Sequence, residues 1–240
     1  RTLTGMLTAS GKQFVDWTSS YRLFSMQRID VTKLFDVARK NVLQEISEHE
    51  NIIAHMDDTI LKKTGKKVPG TAWRRDPLGP AFNTNFIWGQ RFIQISIALP
   101  DHEQCSQSRA IPIDFFHCPT VTRPSKSANE QEIKEYNKQQ RIAKLSRQGS
   151  LRINHLRNKL DQEGSYSKQL LVSVDGSYTN EEVLKTLPDR VTLIGRIRKD
   201  TKLFNIPDNQ NTIGRKRVYG DRIPTPEQIR QSDLYPWQEV

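Results

Sequence analysis

Asn51-Ile52-Ile53-Ala54-His55-Met56-Asp57-Asp58-Thr59 is the key to the fold, because a short apolar run ending in acids reads as a buried strand that delivers carboxylates to its own end. A second stretch repeats the pattern: Gln169-Leu170-Leu171-Val172-Ser173-Val174-Asp175-Gly176-Ser177-Tyr178. Runs of this kind suit central strands of a covered sheet, and in open α/β sheets ligands gather outside the carboxyl ends of such strands. Two aspartates brought together there repel each other unless a divalent cation such as Mg²⁺ neutralises them. The pair therefore points toward a metal-dependent phosphoryl-transfer site, with the two strands as neighbours in one mixed sheet.

Between these two runs, Asn85 to Leu99 forms a long β-like stretch, and Ser108-Arg109-Ala110-Ile111-Pro112-Ile113-Asp114-Phe115-Phe116 forms another. Pro112 confines the latter to a sheet edge. Residues 126 to 164 turn hydrophilic, with sparse apolar positions at helical spacing, and are expected to be exposed helices. After Asp175, Thr179 or Asn180 caps a short helix over Glu181–Leu187, Pro188-Asp189 ends it, and Val191-Thr192-Leu193-Ile194-Gly195-Arg196-Ile197-Arg198 is the last strand. On the N-terminal side, Val31, Leu34, Phe35 and Ala38 share one face of a helix expected to pack on the α/β core. Phe14, Trp17, Tyr21 and Phe24 recur at spacings of three or four; such a stripe is far more often core than a base-stacking surface. The division is thus a helical lead-in (1–50), an α/β core (51–199) and an irregular tail or opening insertion (200–240).

With 240 residues the chain can bury a real core, and its Lys+Arg 37 against Asp+Glu 27 leaves a net charge of +10 that attracts polyanions. Nucleic acid is the natural partner. The two cysteines, Cys105 and Cys118, are too few for a disulfide scaffold, and no apolar stretch reaches membrane length, so a reducing cytoplasm is the expected setting. Lys62-Lys63-Thr64-Gly65-Lys66-Lys67 lacks the glycines of a phosphate-binding loop, which argues against a nucleotide hydrolase. His102, Cys105, His117 and Cys118 offer zinc-type ligands, but their spacing fits no familiar finger, and thiols without a role are the better reading.

The order of three strands, a helical segment, an acid-bearing fourth strand, a helix and a fifth strand resembles the ribonuclease-H-like fold. The Asp57-Asp58-Thr59 ending, the Val174-Asp175-Gly176-Ser177-Tyr178-Thr179-Asn180 segment and the basic ending Arg196-Ile197-Arg198-Lys199-Asp200 are similar to bacterial insertion-sequence transposases of the DDE class, over roughly residues 50 to 200. The resemblance implies an endonuclease that cleaves transposon ends and joins them to target DNA, with Mg²⁺ or Mn²⁺ as cofactor, acting as a homodimer in a bacterial cytoplasm, at the nucleoid when bound to DNA.

By that resemblance the aspartate directly before Thr is the metal ligand, which gives Asp58 together with Asp175 as catalytic and metal-binding residues. Strand alternation sends Asp57 and Asp58 to opposite faces, so one is catalytic and the other structural, with Asp57 in reserve. The family's third acid is a helical Glu beyond the last strand. Glu227 and Glu239 follow Pro226 and Trp237 without a convincing helix, Asp221 is a further place to look, and the chain is expected to stop short of that acid. Lys62, Lys63, Arg74, Arg75, Arg196 and Arg198 are the candidate DNA contacts, set against the plainer reading of solvated surface charge. The rivals are a DNA-binding remnant of a transposase without chemistry, and a basic, RNA-associated protein whose acids only cap strands.

Overall fold

A computed structural model describes residues 2–26, 28–65, 67–76, 78–80, 82–100, 108–207 and 217–236. Helices α1 (Leu3–Ala9), α2 (Thr18–Ser25) and α3 (Val31–Glu45) lead into strands β1 (Ile52–Lys62), β2 (Ala72–Arg75), β3 (Phe86–Pro100) and β4 (Ser108–Cys118). Next come α4 (Glu130–Ile142), α5 (Leu145–Gln162), β5 (Leu170–Val174), α6 (Glu181–Leu184) and β6 (Val191–Gly195). The last elements are β7 (Leu203–Phe204), β8 (Arg222–Ile223) and α7 (Pro226–Arg230).

Strand β1 lies inside a six-stranded mixed sheet, antiparallel to β3 and parallel to β5, with β6 parallel beyond β5. Both β4 and β2 pair with the outer edge of β3, at different places along its length. This is an α/β fold of ribonuclease-H-like order, and the two acid-bearing strands are neighbours at its centre. Pro112 sits on the β4 edge strand beside a register shift, where two residues of β4 step past one of β3, so no ladder bond is lost to the missing N–H.

Period-two alternation sorts β1 cleanly. Ile52, Ala54 and Met56 are buried, whereas Ile53 is 44% exposed. The buried positions meet Ile93, Ile95 and Ile97 of β3 and Leu170, Val172 and Val174 of β5, under Ile153, Leu156 and Leu160 of α5. Helix α5 is therefore central, which corrects the expectation of exposed helices for this segment; α4, its other helix, buries none of its residues. The inward residues of α5, Gly149, Ile153, Leu156 and Leu160, fall three or four apart, one face of the helix.

Helix α3 also packs on this core, along the later turns of the expected face, where Phe35 and Ala38 are half-buried. Val31 and Leu34 are more than half exposed, and contact is made about two to four turns later by Val42 and Ile46. Arg39, 4% exposed, binds both Glu163 oxygens at 2.7 and 2.6 Å and Asp36 at 2.7 Å, joining α3 to the end of α5. The fork geometry of a guanidinium on a carboxylate makes such a half-dry pair directional. The aromatic stripe is not core either: Phe14 is 93% and Phe24 69% exposed.

Candidate active site

The parallel register of β1 and β5 runs from Ile52↔Leu170 to Met56↔Val174. One residue further along stand Asp57 and Asp175, both exposed; Asp175 follows the end of β5, whereas β1 does not end at its acids, as the sequence suggested, but runs on to Lys62 paired with β3. Alternation turns Asp57 away from the helix-covered side to which Met56 points, and Asp175 opens the turn that follows β5.

Asp58 shares the parity of Ile52, Ala54 and Met56 and turns toward the helices, its side chain 19% exposed. Both of its oxygens are engaged. The Tyr178 hydroxyl donates to Oδ1 at 3.2 Å, and Arg91 Nε stands 3.3 Å from Oδ2 as an ion pair without hydrogen-bond alignment. Asp57 Oδ1 instead accepts from the Asp58 amide at 2.8 Å. Asp58, the residue expected from sequence to hold the metal, is the anchored acid of the adjacent pair, and Asp57, the reserve, is the open one.

The sequence puts these partners there for local reasons. Antiparallel pairing sets Arg91 opposite Ile60 of β1 and opposite Cys118 of β4, on the same face as Ile93. Tyr178 reaches Asp58 through a turn closed by its own amide on the Asp175 carbonyl at 3.0 Å, and its side chain is fully buried. Gly149 makes room for the ring, since a Cβ at that position would lie 2.7 Å from the Tyr178 Cε1. Neither Arg91 nor Tyr178 was singled out from sequence. The signal for Arg91 was its parity with Ile93, Ile95 and Ile97 in β3; Tyr178 gave none beyond its place in the Asp175 segment.

Burial raises the Asp58 carboxyl pKa, the charges of Asp57 and Asp175 add to the rise, and Arg91 and the Tyr178 hydrogen bond oppose it. Asp57 and Asp175 thus both lie near enough to act on Asp58. Burial together with the Asp58 charge pushes the Tyr178 phenol far above its ordinary range, so it stays a proton donor in the bond to Asp58.

Two clefts flank the acids. On one side a groove of about 1520 Å³ is lined by Asp175, Gly176, Arg196, Arg198, Lys199 and Lys202, among others, so two of the expected DNA contacts do converge on an acid. On the other, Arg74 lines a cleft with Arg91, and its guanidinium donates to Thr120 Oγ1 at 2.6 Å. Arg75 alternates to the opposite side and is exposed. Lys62 and Lys63 lie farther off, at the end of β1, around a cleft walled by Trp73 and Trp88, whose rings meet edge to face at 5.6 Å.

The zinc reading finds no support among the described residues: His102 and Cys105 lie outside them, and no three His, Cys, Asp or Glu side chains converge as a metal site. His117 and Cys118 point to opposite faces of β4. His117 stacks on Phe92 at 4.9 Å, while the Cys118 thiol is buried and pushed up to about 11, mainly by that burial. Glu227 does occupy a helix, contrary to expectation, because Thr225 and Gln228 form a capping box around Pro226. Its amide bonds the Lys199 carbonyl at 3.2 Å, but its carboxylate is taken up by Arg230 and Gln231. Asp221 lies beside β8, its carbonyl accepting from the Asn205 amide, and Glu239 lies outside the described residues.

Oxygen donors alone suit a hard cation, and one or two carboxylates completed by water and substrate phosphates is the usual Mg²⁺ environment. The pair Asp57 and Asp175 fits that description. A family profile described as DDE superfamily endonuclease matches residues 1–240. The chain belongs to that family, which makes it a transposase-like nuclease acting on DNA with divalent metal ions. No curated protein and no solved structure matches it. No helix among the described residues is long and apolar enough to cross a membrane.

Proposed function

We propose that this DDE superfamily endonuclease cleaves DNA at the ends of a mobile element and joins those ends to target DNA, with Asp57 and Asp175 as its metal-binding carboxylates. Mg²⁺ is the ion of the proposal, with Mn²⁺ as its substitute. The observation that carries the reading is the register of β1 on β5, whose last pair, Met56 and Val174, is followed on β1 by the exposed Asp57 and beyond the end of β5 by the exposed Asp175. A basic protein would not keep two carboxylates side by side at that point without a use for their combined charge.

An ion held there supplies the positive charge that both an attacking oxygen and the developing phosphorane need. The chain's own residues do the rest. Asp57, within β1, and Asp175, just past the end of β5, orient the site. Arg91 and Tyr178 fix Asp58, and through it the end of β1. Arg196 and Arg198 stand in the Asp175 groove, where they meet phosphates of the strand being cut. Hydrolysis and strand joining are then two uses of one arrangement, with water or a DNA 3′-hydroxyl as nucleophile. Residues 51–199 are the catalytic core of this proposal, 1–50 its helical lead-in and 200–240 the start of an insertion or an irregular tail. The resemblance extends the reading to a bacterial insertion-sequence enzyme that works as a homodimer.

A DNA-binding remnant without chemistry is the second reading, favoured by the lack of a third converging acid among the described residues. Thermal unfolding with and without Mn²⁺ separates the two independently of turnover. The nuclease reading expects Mn²⁺ to raise the midpoint of the wild type and to leave Asp175→Asn unmoved. Equal behaviour of the two proteins, with or without a shift, would remove the Asp175 metal site.

A further inference from the structure

The cleft beside Arg91 is a second feature of the site, and it is built of cations. It measures about 640 Å³ and lies between the end of the sheet and the junction of α4 with α5. Arg74, Arg91, Arg141 and Lys144 line it together with the neutral Asn137 and Gln140, and no acid is among its lining residues. Arg74 and Arg91 come from β2 and β3 and share the helix-side face, where each has a buried Nε without a hydrogen-bond partner. Two half-buried guanidiniums that face each other at a cleft are costly unless an anion joins them. Their mutual repulsion adds to burial in lowering the Arg74 pKa. Neither Arg141 nor Lys144 makes an ion pair among the described residues, so the positive charge of the cleft is met only by Asp58 on Arg91.

We propose that this cleft is a binding subsite for one backbone phosphate of duplex DNA, held by Arg74 and Arg91 on the sheet and by Arg141 and Lys144 on the helices. The proposal rests on the nuclease reading for its choice of DNA over other phosphate esters. Planar guanidiniums take phosphate oxygens in pairs, and the orphaned Nε atoms are the donors such a fork would use. Arg91 touches both this subsite and Asp58, so the bound phosphate would fix the duplex one side chain away from the acids. The groove at Asp175 takes the backbone on the other side.

The test is binding of a short fluorescent duplex measured by anisotropy across a salt series in EDTA, so that no metal enters. Arg141→Ala/Lys144→Ala alters two exposed side chains and keeps the buried pair intact. It should weaken binding about tenfold and make the slope of log K against log salt shallower by about one, the loss of one phosphate contact. Arg91→Lys, which keeps charge but not the fork, should weaken binding with the slope unchanged. Inorganic phosphate should compete with the duplex only at far higher concentration if the backbone is the ligand; competition at equal concentration would show a free-phosphate site and overturn the DNA assignment. Wild-type affinity and slope in the double variant would overturn the subsite while leaving the nuclease reading intact. Absence of duplex binding by the wild type would overturn both.

Discussion

The two faces of β1 treat adjacent acids in opposite ways. On the helix-covered face Asp58 is held by Tyr178 and Arg91 under α5; on the open face Asp57 touches only a neighbouring amide. The difference comes from strand parity alone, since Ile52, Ala54 and Met56 must be buried and carry Asp58 with them. One face uses its acid for architecture and the other leaves its acid free for a ligand. Chemistry carried out by the anchored acid would undo this contrast.

Catalysis is where the contrast should be widest. Asp57→Asn should lower Mg²⁺-dependent DNA cleavage by ~10²–10³ or more, the scale of losing a preorganised charge at the reacting phosphorus. Asp58→Asn should cost about 10–100-fold, as partners behind a metal ligand do. Single-turnover rates of both variants measure the order, and a larger loss at Asp58 would return the metal to the residue expected from sequence.

Stability comes next. Gly149→Ala pushes a methyl against the Tyr178 ring, 2.7 Å away, and should cost about 1–3 kcal/mol in denaturant unfolding, as overpacking does. On the open face, Ile53→Thr at a 44% exposed position should stay within about 0.5 kcal/mol. Tyr178→Phe removes the donor to Asp58 Oδ1 and should cost about 1 kcal/mol. Comparable losses at Ile53 and Gly149 would mean that the open face is covered in solution.

Much of this arrangement was readable in the sequence. Strands β1, β3, β4, β5 and β6 announce themselves by apolar runs and alternation, and their order brings the two acids together. What failed has physical causes. Strand β2 is Ala72-Trp73-Arg74-Arg75, too short and basic to register by hydrophobicity, and it exists because β3 extends past β4 and leaves an edge to pair. The α3 pattern pointed to Val31 and Leu34, but the sheet meets only the later turns, where a buried Arg39 replaces an apolar contact. Helix α5 looked polar because its inward face is narrow and includes Gly149, Ser150 and Arg157, whose two terminal nitrogens donate to Asp161, Ser165 and Lys168. The choice between Asp57 and Asp58 was seen as a parity question, but parity gives its answer only once the covered face is known.

A change with pH is the most modest of these effects, and it isolates the anchored acid. Asp58 has a folded-state pKa above its ordinary value, chiefly from burial, with Asp57 and Asp175 adding to it. The folded state therefore binds this proton more tightly than the unfolded chain. Its contribution to stability is fully present below the ordinary carboxylate pKa and is lost as pH rises through the folded value. Asparagine mimics the neutral acid at every pH. The unfolding midpoint of Asp58→Asn, relative to wild type, should accordingly rise as pH moves from about 4 toward neutrality, by a few degrees for a domain of this size. A relative midpoint for Asp58→Asn that falls over that range would mean that Arg91 outweighs burial at Asp58, and the helix-covered face would then hold a stabilising ion pair rather than a costly charge.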